Sequence, residues 1–225
     1  MSCCGHCDDA GTFFGKGTAR RDLRRYRKKG PLRTTALLLG GLRELGVEGR
    51  SLLDVGGGVG AIQHELLAEG LDRAIQVDAS EAYLEAARAE AERRGQGARA
   101  SFHYGDFADL APELPEVDFV TLDRVVCCYP DPPRLLGAAA DRARNAIGLV
   151  YPRERFGVGT FLALTNLWLR IRGSEFRVYL HPVDRIRGLM REAGFELARS
   201  ERTFVWHVEL HRRAGPEDTL SGKRV

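Results

Sequence analysis

The residues with most capacity for chemistry gather around Asp54-Val55-Gly56-Gly57-Gly58-Val59-Gly60, where the apolar run from Ser51 to Val55 meets an acid and then a cluster of glycines. Glycine lacks the Cβ that holds a chain away from a ligand, so this turn predicts backbone lying directly against a bound molecule, with a helix beginning at about Ala61. A second acid, Asp78, closes the next apolar run, and a third, Asp106, follows Gly105 after another. Gly56-x-Gly58-x-x-Ala61 with Asp78 roughly 20 residues on satisfies a dinucleotide fingerprint in which the acid takes ribose hydroxyls. On these residues alone, several nucleotide-like cofactors are open.

Two cysteine clusters and a few bases add reactive side chains. Cys3, Cys4 and Cys7, with His6 among them, are the ligand types that Zn²⁺ and softer metals prefer, although no second CxxC pair or HxxxH completes a tetrahedral set within the segment. A mobile, reduced terminus is the plainer expectation there. Cys127 and Cys128 follow a fourth acid, Asp123, at the expected mouth of a pocket, with structural burial as the alternative. For a general base the candidates are His181, Tyr179 and His103, histidine titrating nearest neutrality. His181 also stands beside Pro182, where it could cap the next helix.

These residues need elements to position them. Ser51 to Val55, Ala74 to Asp78, Ala100 to Tyr104, Val117 to Leu122 and Ala146 to Tyr151 are predicted strands. Helices Ala61 to Ala68, Glu81 to Arg94 with Ser80 as N-cap, and Pro132 to Arg144 separate them. This alternation predicts an α/β fold built on a doubly wound, mainly parallel sheet. Two helices precede it, a basic one from about Thr18 to Lys29 and one opened by Pro31 and ended by Gly46. Over residues 153–180 the near-helical spacing of Phe156, Phe161, Leu162, Leu164, Leu167, Trp168 and Ile171 predicts an inserted helical lid, with a core helix or an amphipathic membrane-surface helix as alternatives. A helix from Pro182 to Ala193 and an antiparallel hairpin, Phe195 to Ser200 and Thr203 to Arg212 turning at Glu201-Arg202, complete a seven-stranded sheet.

The 225 residues, 44% hydrophobic and 29% charged, suit one domain with an extension and exclude two full α/β domains. The net charge of +3 is uneven. Lys16, Arg20, Arg21, Arg24, Arg25, Arg27, Lys28, Lys29 and Arg33 are offset locally only by Asp22, which reads as a solvated helix face near a cleft. Nucleic acid is a weaker partner for that face, since Tyr26 stands alone without a stacking platform. No apolar run approaches the roughly 18 residues of a membrane span. Five cysteines in two tight clusters do not form a secreted disulfide framework, so a cytoplasmic protein with reduced thiols is expected. No feature fixes an oligomeric state.

Taken together, Asp54-x-Gly56-x-Gly58-x-Gly60, Asp78 and Gly105-Asp106-Phe107 resemble the class I S-adenosylmethionine-dependent methyltransferases, and the resemblance runs from about residue 32 to residue 212. It implies a Rossmann-like seven-stranded fold and S-adenosylmethionine as cofactor. Asp54, Gly56, Gly58, Gly60, Asp78, Ala79, Asp106, Phe107 and Asp123 are then the cofactor-binding residues, Asp54 complementing the ammonium, Asp78 the ribose diol, and Asp106 with the Phe107 amide the adenine. A finer likeness, carried by Leu122-Asp123-Arg124-Val125-Val126-Cys127-Cys128-Tyr129-Pro130, Arg177-Val178-Tyr179-Leu180-His181 and Ala193-Gly194-Phe195, is to the branch acting on magnesium protoporphyrin IX. It implies a small-molecule acceptor under the lid, met by Arg124, Cys127, Cys128, Tyr129, Trp168 and Arg177, with O-methylation of a carboxylate or hydroxyl favoured and His181 and Tyr179 as catalytic candidates. The alternatives are methylation of a thiol or metalloid through the cysteine clusters, of nucleic acid through the basic helix, or a non-catalytic cofactor- or metal-binding module. The expected organisation is a Cys-rich segment over 1–17 with Cys3, Cys4 and Cys7 as metal ligands, a methyltransferase domain over 18–213, and a disordered tail over 214–225.

Overall fold

The computed structural model describes residues 14–155, 157–174 and 176–215. The expectations for Cys3, Cys4, Cys7 and Phe156 and for most of the tail lie outside these residues. Seven strands form one sheet: β1 Ser51–Val55, β2 Arg73–Asp78, β3 Ala100–Tyr104, β4 Val117–Asp123, β5 Ala143–Pro152, β6 Phe195–Arg202 and β7 Trp206–Arg213. Their order across the sheet is β3-β2-β1-β4-β5-β7-β6. The first five are parallel, and β7 enters antiparallel between β5 and β6. The chain leaves β1 toward β2 on one side and resumes at β4 on the other, so a crevice opens above the carboxyl ends of β1 and β4, where open α/β sheets take their ligands.

Every residue of β1 is buried, as a strand covered by helices on both faces requires. The helices are α1 Lys16–Lys29, α2 Arg33–Glu44, α3 Ala61–Ala68, α4 Glu81–Arg93, α5 Phe107–Leu110, α6 Pro132–Arg142, α7 Val158–Ile171 and α8 Val183–Glu192. One face of the sheet packs Leu53, Val120, Ile147 and Leu149 against α6 and α8 through Leu135, Leu136, Ile186 and Met190. The other packs Leu52, Phe119, Ala146 and Val150 against α2 and α3 through Leu38, Leu42, Ile62 and Leu66. Gly148 in β5 makes room for α2, because a Cβ there would lie 2.6 Å from Leu38 Cδ1.

The structure moves three predicted boundaries. Helix α6 ends at Arg142 and β5 begins at once at Ala143. Arg213 closes that junction by donating to the carbonyls of Ala140 and Ala143. The terminal hairpin turns at residues 203–205, not at Glu201-Arg202, because a bulge between Leu197 and Arg199 takes one extra residue in β6 and the Trp206 amide then donates to Thr203 Oγ1 at 3.0 Å. Helix α5 was not expected; Asp106 caps it by accepting from the Ala108 amide at 2.9 Å. Among the described residues no helix is long and apolar enough to cross a membrane.

Candidate active site

Above the carboxyl ends of β1 and β4 lies a cavity of about 570 Å³ with the glycine turn as its floor. Gly56 and Gly58 adopt φ of +60° and +57°, and a Cβ on Gly56 would come within 2.5 Å of Val125 Cγ2. Gly57 has an ordinary φ, but a Cβ on it would lie 2.6 Å from Asp54 Oδ2. Asp54 is fully buried, and its Oδ1 accepts from Thr121 Oγ1 at 2.7 Å. Its Oδ2 has no partner among the described residues. Burial, with Asp123 and Asp78 nearby, pushes this carboxyl up to about 7.

The other acids stand at successive strand ends. Asp78 accepts from the Gly58 amide at 3.0 Å and the Ser80 amide at 2.9 Å, and desolvation still raises it to about 6. Its carboxylate ties the glycine turn to the start of α4 and retains lone pairs toward the cavity. Asp106 accepts from Tyr129 Oη at 2.9 and 3.0 Å and from Arg134 Nη1 at 3.3 Å. Asp123 accepts from Thr35 of α2 and, at 3.1 Å, from Arg124 Nε.

Helix α1 forms a wall. Asp22, Arg25 and Tyr26, spaced to share one helix face, line the cavity. Tyr83 Oη donates to Asp22 at 2.6 Å, Tyr26 Oη donates to Glu65 at 2.5 Å, and the fully buried Glu90 takes Arg27 of α1 together with Arg93 and Arg94. Those three guanidiniums hold the Glu90 carboxyl far below its usual range. Part of the basic run is thus spent clamping α1 to α4. Phe14 continues the wall, its ring 5.9 Å from that of Tyr83 and 5.8 Å from that of Phe176.

The far end of the cavity is mostly apolar, lined by Thr165 and Leu169 of α7 with Phe176, Val178 and Trp206. Between the two ends runs Arg124-Val125-Val126-Cys127-Cys128-Tyr129. Arg124 is the one non-glycine residue with positive φ among those described, at +65°. The Cys127 and Cys128 sulfurs lie 3.8 Å apart, with Arg124 O 3.4 and 3.7 Å away. The hydrogen bond with Cys127, helped by the Arg124 charge, lowers Cys128, while the same bond and burial raise Cys127. From behind, the Tyr179 amide donates to Cys127 O at 2.7 Å and His181 Nε2 lies 3.1 Å from Tyr129 O.

Residues 52–145 match the family model of the methyltransferase domain. That stretch, which holds the glycine turn, Asp78, Asp106 and Asp123, is where the likeness to a methyltransferase domain lies. No curated protein matches it by sequence. Among solved structures it is similar to the magnesium protoporphyrin IX methyltransferase of Synechocystis PCC 6803 with bound S-adenosylhomocysteine, at 19% identity over 92% of this chain and 100% of that one, TM-score 0.71. It is also similar to a putative sarcosine dimethylglycine methyltransferase of Galdieria sulphuraria, at 14% identity over 83% and 88% of the two chains, TM-score 0.68. A putative RNA methyltransferase of Pyrococcus horikoshii matches at 15% identity over 84% and 85%, TM-score 0.61. These three proteins are named for magnesium protoporphyrin IX, for sarcosine and dimethylglycine, and for RNA, so the shared fold leaves the acceptor open.

Within the matched stretch the cavity gathers Asp54, Gly56, Gly58, Asp78, Ala79, Asp106, Phe107 and Asp123 from the expected cofactor set. Gly60 is not in the lining; it is the left-handed N-cap of α3, where a Cβ would strike Gln63 Nε2 at 2.5 Å. Of the expected acceptor residues Arg124, Cys127, Cys128 and Tyr129 line the cavity, while Trp168 faces outward, 47% exposed, and Arg177 donates to the Ser174 and Phe176 carbonyls. His181, Tyr179 and His103 do not line it. Burial lowers His181, whose ring stacks on Tyr179 with centroids 5.7 Å apart. Tyr129 sits against Asp106, an attachment its sequence neighbours do not announce. Sequence reasoning missed Asp22, Tyr26, Thr35 and Tyr83; the lone acid inside the basic run, four residues before the lone tyrosine, was the available signal.

Proposed function

We propose that this methyltransferase domain transfers the methyl group of S-adenosylmethionine to an oxygen of a small, apolar-bodied acceptor, a carboxylate above all. Asp54 is the observation that carries the reading. A buried carboxylate with one oxygen satisfied and the other lacking a partner calls for a cation, and the ammonium of the cofactor's amino-acid half supplies one. The bare glycine turn beside it would take the chain of that same half. Asp78 would accept from the ribose diol with Ala79 alongside, and Asp106 and the Phe107 amide would meet the adenine. Bound there, the cofactor offers an electrophilic methyl on a sulfonium.

What is left to the protein is alignment and exclusion of water. Helix α1 and Phe14 cover the cavity from one side and α7 from the other. Asp123, held by Thr35, fixes the Arg124 side chain at the junction of the two ends. No histidine lines the cavity among the described residues. A carboxylate acceptor needs no base, and the Arg124 guanidinium suits its orientation. The likeness to a protein acting on magnesium protoporphyrin IX supports a small-molecule acceptor of this kind.

Calorimetry with S-adenosylhomocysteine and with NADH tests the cofactor, and mass spectrometry of a metabolite pool incubated with S-adenosylmethionine tests the transfer. One-to-one binding of S-adenosylhomocysteine is expected. Binding of NADH in its place overturns the reading. A second reading, a thiol or metalloid acceptor held by Cys127 and Cys128, is favoured by the convergence of their sulfurs on the cavity. Loss of turnover in a Cys127→Ser, Cys128→Ser variant that still binds S-adenosylhomocysteine would select it.

A further inference from the structure

Helix α7 has two apolar faces where one is enough for a lid. Thr165 and Leu169 point into the cavity. Leu164, Leu167, Trp168 and Ile171, at helical spacing i, i+3, i+4 and i+7, are 61, 54, 47 and 76% exposed. Phe204, at the β6–β7 turn, is 73% exposed. The turn lies beside the segment leading into α7, since the Arg153 amide donates to Val205 O at 2.7 Å. Guanidiniums accompany the rings: Arg155 lies 4.3 Å above Phe204 and Arg172 4.4 Å above Trp168. Arg170 is exposed on the same helix, which carries no acid.

We infer that this face seats the protein on an anionic lipid surface, so that the acceptor, under the function proposed above, is a lipophilic molecule drawn from the bilayer. A buried apolar partner would leave the guanidiniums unpaired, whereas a headgroup layer accepts apolar side chains and cations together. The 14-residue helix, about 21 Å long, can lie in that layer with Trp168 at headgroup depth. Its inner face remains on the apolar end of the cavity, which places the acceptor's entrance against the lipid.

The test is sedimentation of the full chain with vesicles of phosphatidylcholine alone or mixed equally with phosphatidylglycerol. Binding to the mixed vesicles is expected, with at least tenfold weaker binding to phosphatidylcholine and a loss as salt rises. Leu167→Glu with Ile171→Glu is expected to weaken binding tenfold or more. Arg170→Gln and Arg172→Gln each reduce it about fivefold. All four substitutions leave the calorimetric affinity for S-adenosylhomocysteine unchanged, because these side chains lie outside the cavity. Absence of binding to either vesicle, or equal binding by the double glutamate variant, overturns the inference. So does a reversible dimer in sedimentation equilibrium that the glutamates dissolve in a protein indifferent to vesicles. If wild type fails to bind S-adenosylhomocysteine, the proposed cofactor falls while the vesicle result still judges this face.

Discussion

Replacing Asp54 by Asn should strengthen the ligand-free protein at alkaline pH and ruin its site. The carboxyl ionises at 3.8 in an ordinary setting and at about 7 in the fold. Between those values the folded chain binds more protons at this position than the unfolded chain, so unfolding free energy falls as pH rises. By pH 8 the full cost, up to about 4 kcal/mol, is present, and by pH 4 most of it is gone. Asn keeps the acceptor for Thr121 but puts an unpartnered donor where Oδ2 now lies, which costs about 1–3 kcal/mol. The difference leaves the variant ahead by about 2 kcal/mol at pH 8, or roughly 4–8 °C in melting temperature for a chain of this size. That advantage should vanish or reverse near pH 5. Affinity for S-adenosylhomocysteine should run the other way. Losing a buried charge partner costs about 3–5 kcal/mol, a factor of roughly 10²–10⁴ in Kd at pH 8. Wild-type affinity should itself fall about tenfold per pH unit below 7, since the ammonium needs an ionised partner. Thermal melts at pH 5 and 8 with calorimetry at the same pH values measure both effects. A variant that binds the ligand like wild type and melts with the same pH dependence would refute the assignment of Asp54.

Gly57→Ala has an ordinary φ to adopt, but its methyl would meet the buried Asp54 Oδ2 at 2.6 Å and Gln76 Cδ at 3.0 Å, so it should cost about 1–3 kcal/mol in stability and lower ligand affinity at least tenfold, read by thermal melts and calorimetry. Tyr83→Phe removes the bond to Asp22 that docks α1 on α4; hydrogen exchange in α1 should quicken and ligand affinity drop by about 1 kcal/mol, with the global melting temperature little changed. His181→Gln should keep turnover within a few-fold and flatten no pH profile, while lowering the melting temperature by a few degrees, since the ring holds the Tyr129 carbonyl instead of a reacting proton. A rate loss of a hundredfold in that variant, with an intact fold, would restore the base role. Trp168→Ala should leave S-adenosylhomocysteine affinity unchanged, as its side chain lies outside the cavity.

What could be read in the sequence and what could not divide along a physical line. Strands β1, β2 and β4, the glycine turn and the acids that follow them are local features: an apolar run, a residue without Cβ and a carboxylate at a strand end announce themselves within a few positions. The parallel sheet then brings those ends together without further instruction, which is why Asp54, Asp78, Asp106 and Asp123 meet at one cavity. Side chains whose direction depends on distant partners were not legible. Nothing near His181 reveals that its ring turns back to a carbonyl 52 positions away. Nothing near Tyr129 reveals Asp106, 23 positions earlier.

Helix α1 shows the same division inside a single element. Its charge made the outer face conspicuous and suggested solvent or, more weakly, nucleic acid, yet its contribution to the site comes from Asp22, Arg25 and Tyr26 on the inner face. A helix with nine of its fourteen residues charged still has to bury one stripe, and the stripe is marked by the residues that break the pattern. Here the break is an acid, which pairs with a tyrosine of α4, and a tyrosine, which pairs with an acid of α3. Those two bonds, with Arg27 on Glu90, hold α1 across the mouth of the crevice. The wall that excludes water from Asp54 is therefore built on polar pairs that salt and pH can weaken more readily than the sheet beneath them.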